Sequence, residues 1–149
     1  MQTLEISVGI QIAQPPHNVF EAIVDPQKMS NYFISESTGR MEEGKRLVWR
    51  FPEFDVDAPV QVGPIETDKY ISFNWDTDGQ SLQVEISFTP APNNTTIVKI
   101  TEGKMEQNEA GIAWLKGNTE GWANFLACLK AYLEHGINLR KGGFDYRKM

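Results

Sequence analysis

From Leu4 to Ile12 every second residue is apolar (Leu4, Ile6, Val8, Ile10, Ile12), with Glu5, Ser7, Gly9 and Gln11 between them. A period of two sends one set of side chains to a single face, so this stretch reads as a half-buried strand. Pro15-Pro16 ends it and can open a helix, because proline at the first helical position lacks only an amide that had no intrahelical partner. Val19, Phe20, Ile23 and Val24 then recur at helical spacing. Asp25-Pro26 stops that helix and starts a second short one, with Met29, Tyr32 and Phe33 as its apolar contacts. After Gly39 the period returns to two, in Leu47, Trp49 and Phe51, in Val60 and Val62, and in Ile71, Phe73 and Trp75. Asp76-Thr77-Asp78-Gly79 is a turn signal, followed by alternating Leu82, Val84, Ile86 and Phe88. Pro90 to Asn94 makes another turn, and Val98 and Ile100 carry a last strand from Thr96 to Glu102. From about Glu109 the spacing is helical again, with Trp122, Phe125, Leu126, Leu129, Tyr132 and Leu133 on one face and Asn124, Lys130 and Glu134 pointing away. Gly136 is the expected C-cap.

This order predicts an α+β domain: a curved antiparallel sheet wrapped around one long C-terminal helix, with two short helices after the first strand. Sheet and helix meet along a stripe, which leaves room for an apolar space between them. Residues 1–149 read as a single domain in which 138–149, with Gly142-Gly143 and a basic excess, form a loosely held end.

Length and composition change this picture little. A chain of 149 residues, 40% hydrophobic, buries roughly 70% of its unfolded surface and needs no staple. The single cysteine, Cys128, has no intrachain partner and reads as a small buried hydrophobe. A net charge of −6 argues against sequence-independent nucleic-acid binding, which depends on Lys and Arg displacing counterions from phosphate. The opening residues lack a signal-peptide pattern and no apolar run reaches the roughly 18 residues of a membrane span. A cytoplasmic protein without membrane insertion is therefore expected.

Several segments resemble a known family. The opening Ile10-Gln11-Ile12-Ala13-Gln14-Pro15-Pro16-His17-Asn18-Val19-Phe20-Glu21-Ala22-Ile23, followed by Asp25-Pro26, is similar to the start of proteins like the activator of the heat-shock-protein-90 ATPase, within the START and Bet v 1-like (SRPBCC) superfamily. Tyr70 to Trp75, Thr95 to Gly103 and the helix Glu120 to Glu134 resemble later blocks of that family in the same order. The resemblance spans about residues 4 to 135. It implies a helix-grip fold with an internal hydrophobic cavity, in a group whose members bind lipids, hormones or polyketides and a few of which act as cyclases or chaperone regulators. It implies no catalytic set. Chaperone-activating members carry a separate N-terminal docking domain that is not read here, so that activity is not expected.

Strand phase puts Trp49, Phe51, Phe73, Trp75, Phe88, Val98 and Ile100 on the concave side, opposite Trp122, Leu126 and Leu129. Flat rings there either fill the core or line a cavity and stack on a ligand. The candidate ligand-binding set is Tyr32, Phe33, Trp49, Phe51, Phe73, Trp75, Phe88, Glu102, Trp114, Trp122 and Leu126, with Trp75 and Trp114 expected at the mouth. Glu102 keeps the inward phase of Val98 and Ile100, and a carboxylate there must be paired or near water. Tyr32 is a rim candidate with a hydroxyl to offer.

No catalytic residue is assigned: hydrolase, phosphate-loop and H-E-x-x-H signatures are absent, and no cofactor is implied. Cys128 and His135 stand about 10 Å apart along one helix face, too far to share an ion, so no metal site is expected. Gly117 and Gly121 each cost about 1 kcal/mol in a helix relative to Ala, which calls for close approach to the sheet or room for a ligand.

These residues lead first to a carrier or sensor that encloses a small, largely apolar molecule (a lipid, a sterol or a polyketide-like aromatic). The second reading is a cyclase or hydratase using Glu102 or Tyr32 as acid or base. The third is an interaction domain that docks a chaperone or a second copy of itself.

Overall fold

The computed structural model describes residues 2–77 and 79–148, so Met1, Asp78 and Met149, including one position of the expected Asp76–Gly79 turn, lie outside the described residues. The first strand, β1 (Thr3–Ile12), leads into α1 (Pro16–Val24) and the four-residue α2 (Pro26–Met29). Proline opens both helices, and the Asp25 side chain accepts from the Gln27 amide at 2.9 Å to cap the second. A short β2 (Glu36–Ser37), which has no period to reveal it, precedes β3 (Arg46–Phe51) and β4 (Phe54–Glu66). The sheet continues through β5 (Tyr70–Thr77), β6 (Gln80–Ala91) and β7 (Thr95–Glu106), and α3 (Glu109–His135) closes the fold.

All neighbouring strands are antiparallel, in the order β1-β7-β6-β5-β4-β3-β2. The first strand thus lies beside the last, and the meander from β2 to β7 makes up the rest of the sheet. Two features of β4 escape the period-two pattern. It begins at Phe54, well before Val60, because Pro52-Glu53 joins it to β3 in a tight hairpin that pairs Phe51 with Phe54. Its register then shifts between Val62 and Ile65, where Pro64, which has no amide to donate, sits at the irregularity and accepts a 2.8 Å hydrogen bond from Ser72 Oγ.

Asn108 caps α3 by accepting from the Gly111 amide, and Gly136, at φ +65°, ends it in the left-handed conformation that glycine adopts without strain. The helix packs along β1. Lys130 and Glu134, expected to face away, are turned toward that edge instead: Lys130 Nζ donates to the Gln11 carbonyl, and Glu134 accepts from the Ala13 amide at 2.8 Å. β1 is an edge strand and Ala13 lies past its end, and the helix supplies hydrogen-bond partners to both backbone groups.

One continuous core runs from Ile6 and Ile12 through Trp49, Phe73, Ile86 and Ile100 to Phe125 and Leu129. Beyond Gly136 the chain turns back over the β3–β4 hairpin. In this stretch, expected to be loosely held, Arg140 is 9% exposed and its guanidinium makes two contacts with Glu53, of 2.6 and 3.1 Å.

Candidate ligand-binding cleft

A cleft of about 340 Å³ opens where the free ends of β3, β4 and β5 approach the first half of α3. Its apolar wall consists of Phe33, just past α2, Phe51 at the end of β3, and Phe54, Val56 and Ala58 at the start of β4. Trp75 and Asp76 border it from β5, and Asn118, Gly121, Trp122 and Asn124 from α3. The last side is the returning C-terminal segment, through Arg140, Phe144 and Arg147.

Glu102 organises the inner end. Its carboxylate is fully buried and accepts from Trp75 Nε1 at 2.8 Å, Trp122 Nε1 at 2.8 Å and Asn118 Nδ2 at 3.1 Å. An indole N–H and an amide NH₂ group only donate, so the carboxylate, which only accepts, satisfies all three. The bonds tie a strand residue and two helix residues to β7 and fix two of the aromatic rings that border the cleft. Glu102 itself is not among the lining residues.

The rings form a connected set. Phe33 packs edge-on against Phe51, at 5.2 Å between centroids, and against Phe125 at 4.7 Å. Trp75 lies 5.4 Å from Phe73 and 5.5 Å from Trp122. Trp49 stands behind them, 5.3 Å from Phe73. On the C-terminal side the Arg140 guanidinium lies 5.6 Å from the Phe33 ring and 4.9 Å from the Phe144 ring. Arg147 lies 4.8 Å from Phe144 and 5.7 Å from Tyr146, so two cations lie against Phe144.

The structure therefore brings Phe33, Phe51, Trp75 and Trp122 together at the cleft, with Glu102 directly behind two of them. Trp49, Phe73 and Leu126 are core residues, each 2% exposed or less. Three others depart from the expected placement. Tyr32 is buried rather than at a rim: its hydroxyl donates to the Ala22 carbonyl at 2.8 Å, and burial holds its phenol well above the ordinary tyrosine range. Trp114 is 3% exposed and, among the described residues, does not line this cleft; its Nε1 has no hydrogen-bond partner. It sits near the start of α3 and faces the core, which a helical period alone does not reveal. Phe88 lies by α1, edge-on to Phe20 at 5.9 Å, where it borders a separate depression with His17 and Asp68.

Gly121 has a different setting from the one that close helix–sheet packing would give. A Cβ built on it meets nothing within 4 Å, and the residue lines the cleft, so the space beside the helix is what its missing side chain leaves open. Cys128 is buried, and burial pushes its thiol above the ordinary range. Among the described residues no group of three or more His, Cys, Asp or Glu side chains is placed to hold a metal ion, and no helix is long and apolar enough to cross a membrane.

Comparison with known proteins matches this architecture. The family model described as Activator of Hsp90 ATPase homolog 1-like protein covers residues 13–134. The chain belongs to this family. Its fold is the helix-grip, Bet v 1-like one, and the solved structures it resembles include members with the same layout. A crystal structure of a protein from Staphylococcus saprophyticus is 33% identical, covers 90% of this chain and 94% of its own, and superposes with a TM-score of 0.79. DynU16, from the dynemicin biosynthetic locus, is 21% identical with a TM-score of 0.80 over 90% of this chain, which spans 48% of that one. The Aha1 dimer from Colwellia psychrerythraea is 18% identical with a TM-score of 0.77, over 89% of this chain and 98% of that chain. No curated protein matches the sequence significantly. Within the Hsp90-activator-like family model, the matched span ends before the segment carrying Arg140, Phe144 and Arg147, so that side of the cleft lies outside the shared part.

Proposed function

We propose that this protein encloses a small, largely hydrophobic molecule in the cleft between the sheet and the C-terminal helix, as a carrier or sensor. The observation that carries this reading is the aromatic wall of Phe33, Phe51, Trp75 and Trp122 around about 340 Å³ of open space. Pockets that take small molecules span about 300–1,000 Å³ and are lined mainly by apolar and aromatic side chains with a few polar groups. Each square ångström of apolar ligand surface removed from water contributes about 25 cal/mol, so a lipid, a sterol or a polyketide-like aromatic needs few polar contacts to bind. The similarity in fold to DynU16, a protein of a biosynthetic locus, supports a small-molecule role.

Use of Glu102 as a catalytic acid or base is less well supported. Its oxygens already accept from Trp75, Trp122 and Asn118, and it does not line the cleft. The fluorescent apolar amine N-phenyl-1-naphthylamine tests the binding reading. Its emission should rise on titration with the protein, and Gly121→Leu, which places a side chain into the cleft, should weaken binding about tenfold or more. Equal binding by a folded Gly121→Leu variant would place the probe elsewhere and remove the support for this cleft.

A further inference from the structure

We infer that the cleft is built for an acid: a flat aromatic molecule carrying one oxyanion, with the rings against Trp75 and Trp122 and the oxyanion on the guanidinium of Arg147. This rests on the binding reading above and narrows its ligand class.

The argument starts from the charges at the cleft. Among the described residues that line it, the cations are Arg140 and Arg147 and the anion is Asp76. Arg140 is committed, since its side chain is 10% exposed and faces the 4%-exposed Glu53 at 2.6 Å. Arg147 is differently placed. Its side chain is 29% exposed, and its ion partner is Glu120, 3.7 Å away and 61% exposed. That separation is too long for a hydrogen bond, and exposed pairs of this kind are worth only about 0–1 kcal/mol, so an incoming oxyanion displaces Glu120 at little cost.

The guanidinium is also oriented in advance. It lies 4.8 Å from the Phe144 ring and 5.7 Å from the Tyr146 ring, and Phe144 is in turn covered by the anchored Arg140. A guanidinium held on aromatic faces keeps its planar fork of N–H donors available at its edge, the geometry that accepts a carboxylate or similar oxyanion bidentately. Asp76, at the end of β5, repels the same group and so favours one orientation of the ligand. Apart from Asn118, which already donates to Glu102, and Asn124, the remaining wall is apolar, which disfavours a small hydrophilic anion as the occupant.

Two probes with one arylamine skeleton test this: 8-anilinonaphthalene-1-sulfonate, which carries an oxyanion, and N-phenyl-1-naphthylamine, which does not. Dissociation constants are measured by fluorescence for the wild type, Arg147→Gln, Arg147→Lys and Gly121→Leu, with folding checked by circular dichroism. The expected result is that the sulfonate's affinity relative to the neutral amine falls about tenfold in Arg147→Gln, is partly restored in Arg147→Lys, and that both probes are lost in Gly121→Leu. If the neutral amine binds the cleft and the ratio is the same in Arg147→Gln, the acid assignment is overturned while the cleft stands. Sulfonate binding that survives Gly121→Leu also overturns it. If neither probe binds the wild type, both this inference and the reading beneath it fail.

Discussion

Trp75 and Trp122, one at the end of a strand and the other on the long helix, lie 5.5 Å apart between ring centroids and donate their indole N–H groups to opposite oxygens of Glu102. A buried carboxylate used in this way is an aligning element: it satisfies both indoles and holds sheet and helix in one register beside the cleft. Replacing Glu102 by Gln sets an amide NH₂ against at least one N–H donor that had an acceptor. The expected loss in unfolding free energy is about 1–3 kcal/mol, read from urea denaturation midpoints. A change below about 0.5 kcal/mol would mean that the three hydrogen bonds do not hold the two elements.

The C-terminal segment is pinned by Arg140 on Glu53 in a buried setting. Glu53→Ala leaves the guanidinium buried without its acid and should cost about 3 kcal/mol, whereas the double variant Glu53→Leu/Arg140→Met should recover much of that loss. A double-mutant cycle by chemical denaturation measures the coupling, and additive losses would rule the pin out.

Gly121→Ala separates the cost of glycine in a helix from its use. The added methyl meets no atom within 4 Å, so the substitution should stabilise the fold by about 0.5–1 kcal/mol. A lower melting temperature for Gly121→Ala would show that the space beside the helix is smaller than the geometry requires.

The contact of α3 with the end of β1 gives a pH dependence. The Ala13 amide first, and then Lys130, hold the Glu134 carboxyl below its ordinary value of 4.5. A depressed native pKa adds stability that is present above about 4.5 and lost as the pH falls through the lower, native value. Glu134→Gln should therefore be less stable than the wild type at pH 7, and the difference should shrink as the pH drops below 4.5 toward the acid limb. A difference that stays constant over that range would assign the effect to packing.

Much of the fold was legible because period and punctuation agree. Alternation in Leu4–Ile12, Ile71–Trp75 and Leu82–Phe88, the Asp25-Pro26 break and the capping Gly136 all mark elements the structure contains. The start of β4 was harder to read, since Phe54 and Val56 alternate with Asp55 and Asp57 but stay exposed at the cleft and adjoin a turn. Strand phase also brought Phe51 and Trp75 to one side. The C-terminal side of the cleft had no local signal: Arg140 finds Glu53 across 87 residues, and a short stretch with two glycines and several basic residues resembles a solvated end. Lys130 and Glu134 misled for a related reason, because charges at helical spacing say nothing of the backbone groups that a neighbouring strand leaves open.

The most direct test follows the indole N–H resonances of the four tryptophans by nitrogen–proton correlation spectroscopy during titration with N-phenyl-1-naphthylamine. Ligand in the cleft predicts that the Trp75 and Trp122 signals move together and saturate, while that of Trp114, buried away from the cleft, stays in place. Movement of Trp114 with Trp75 and Trp122 unchanged, or no movement of any of them at saturating probe, would contradict a binding cleft between sheet and helix.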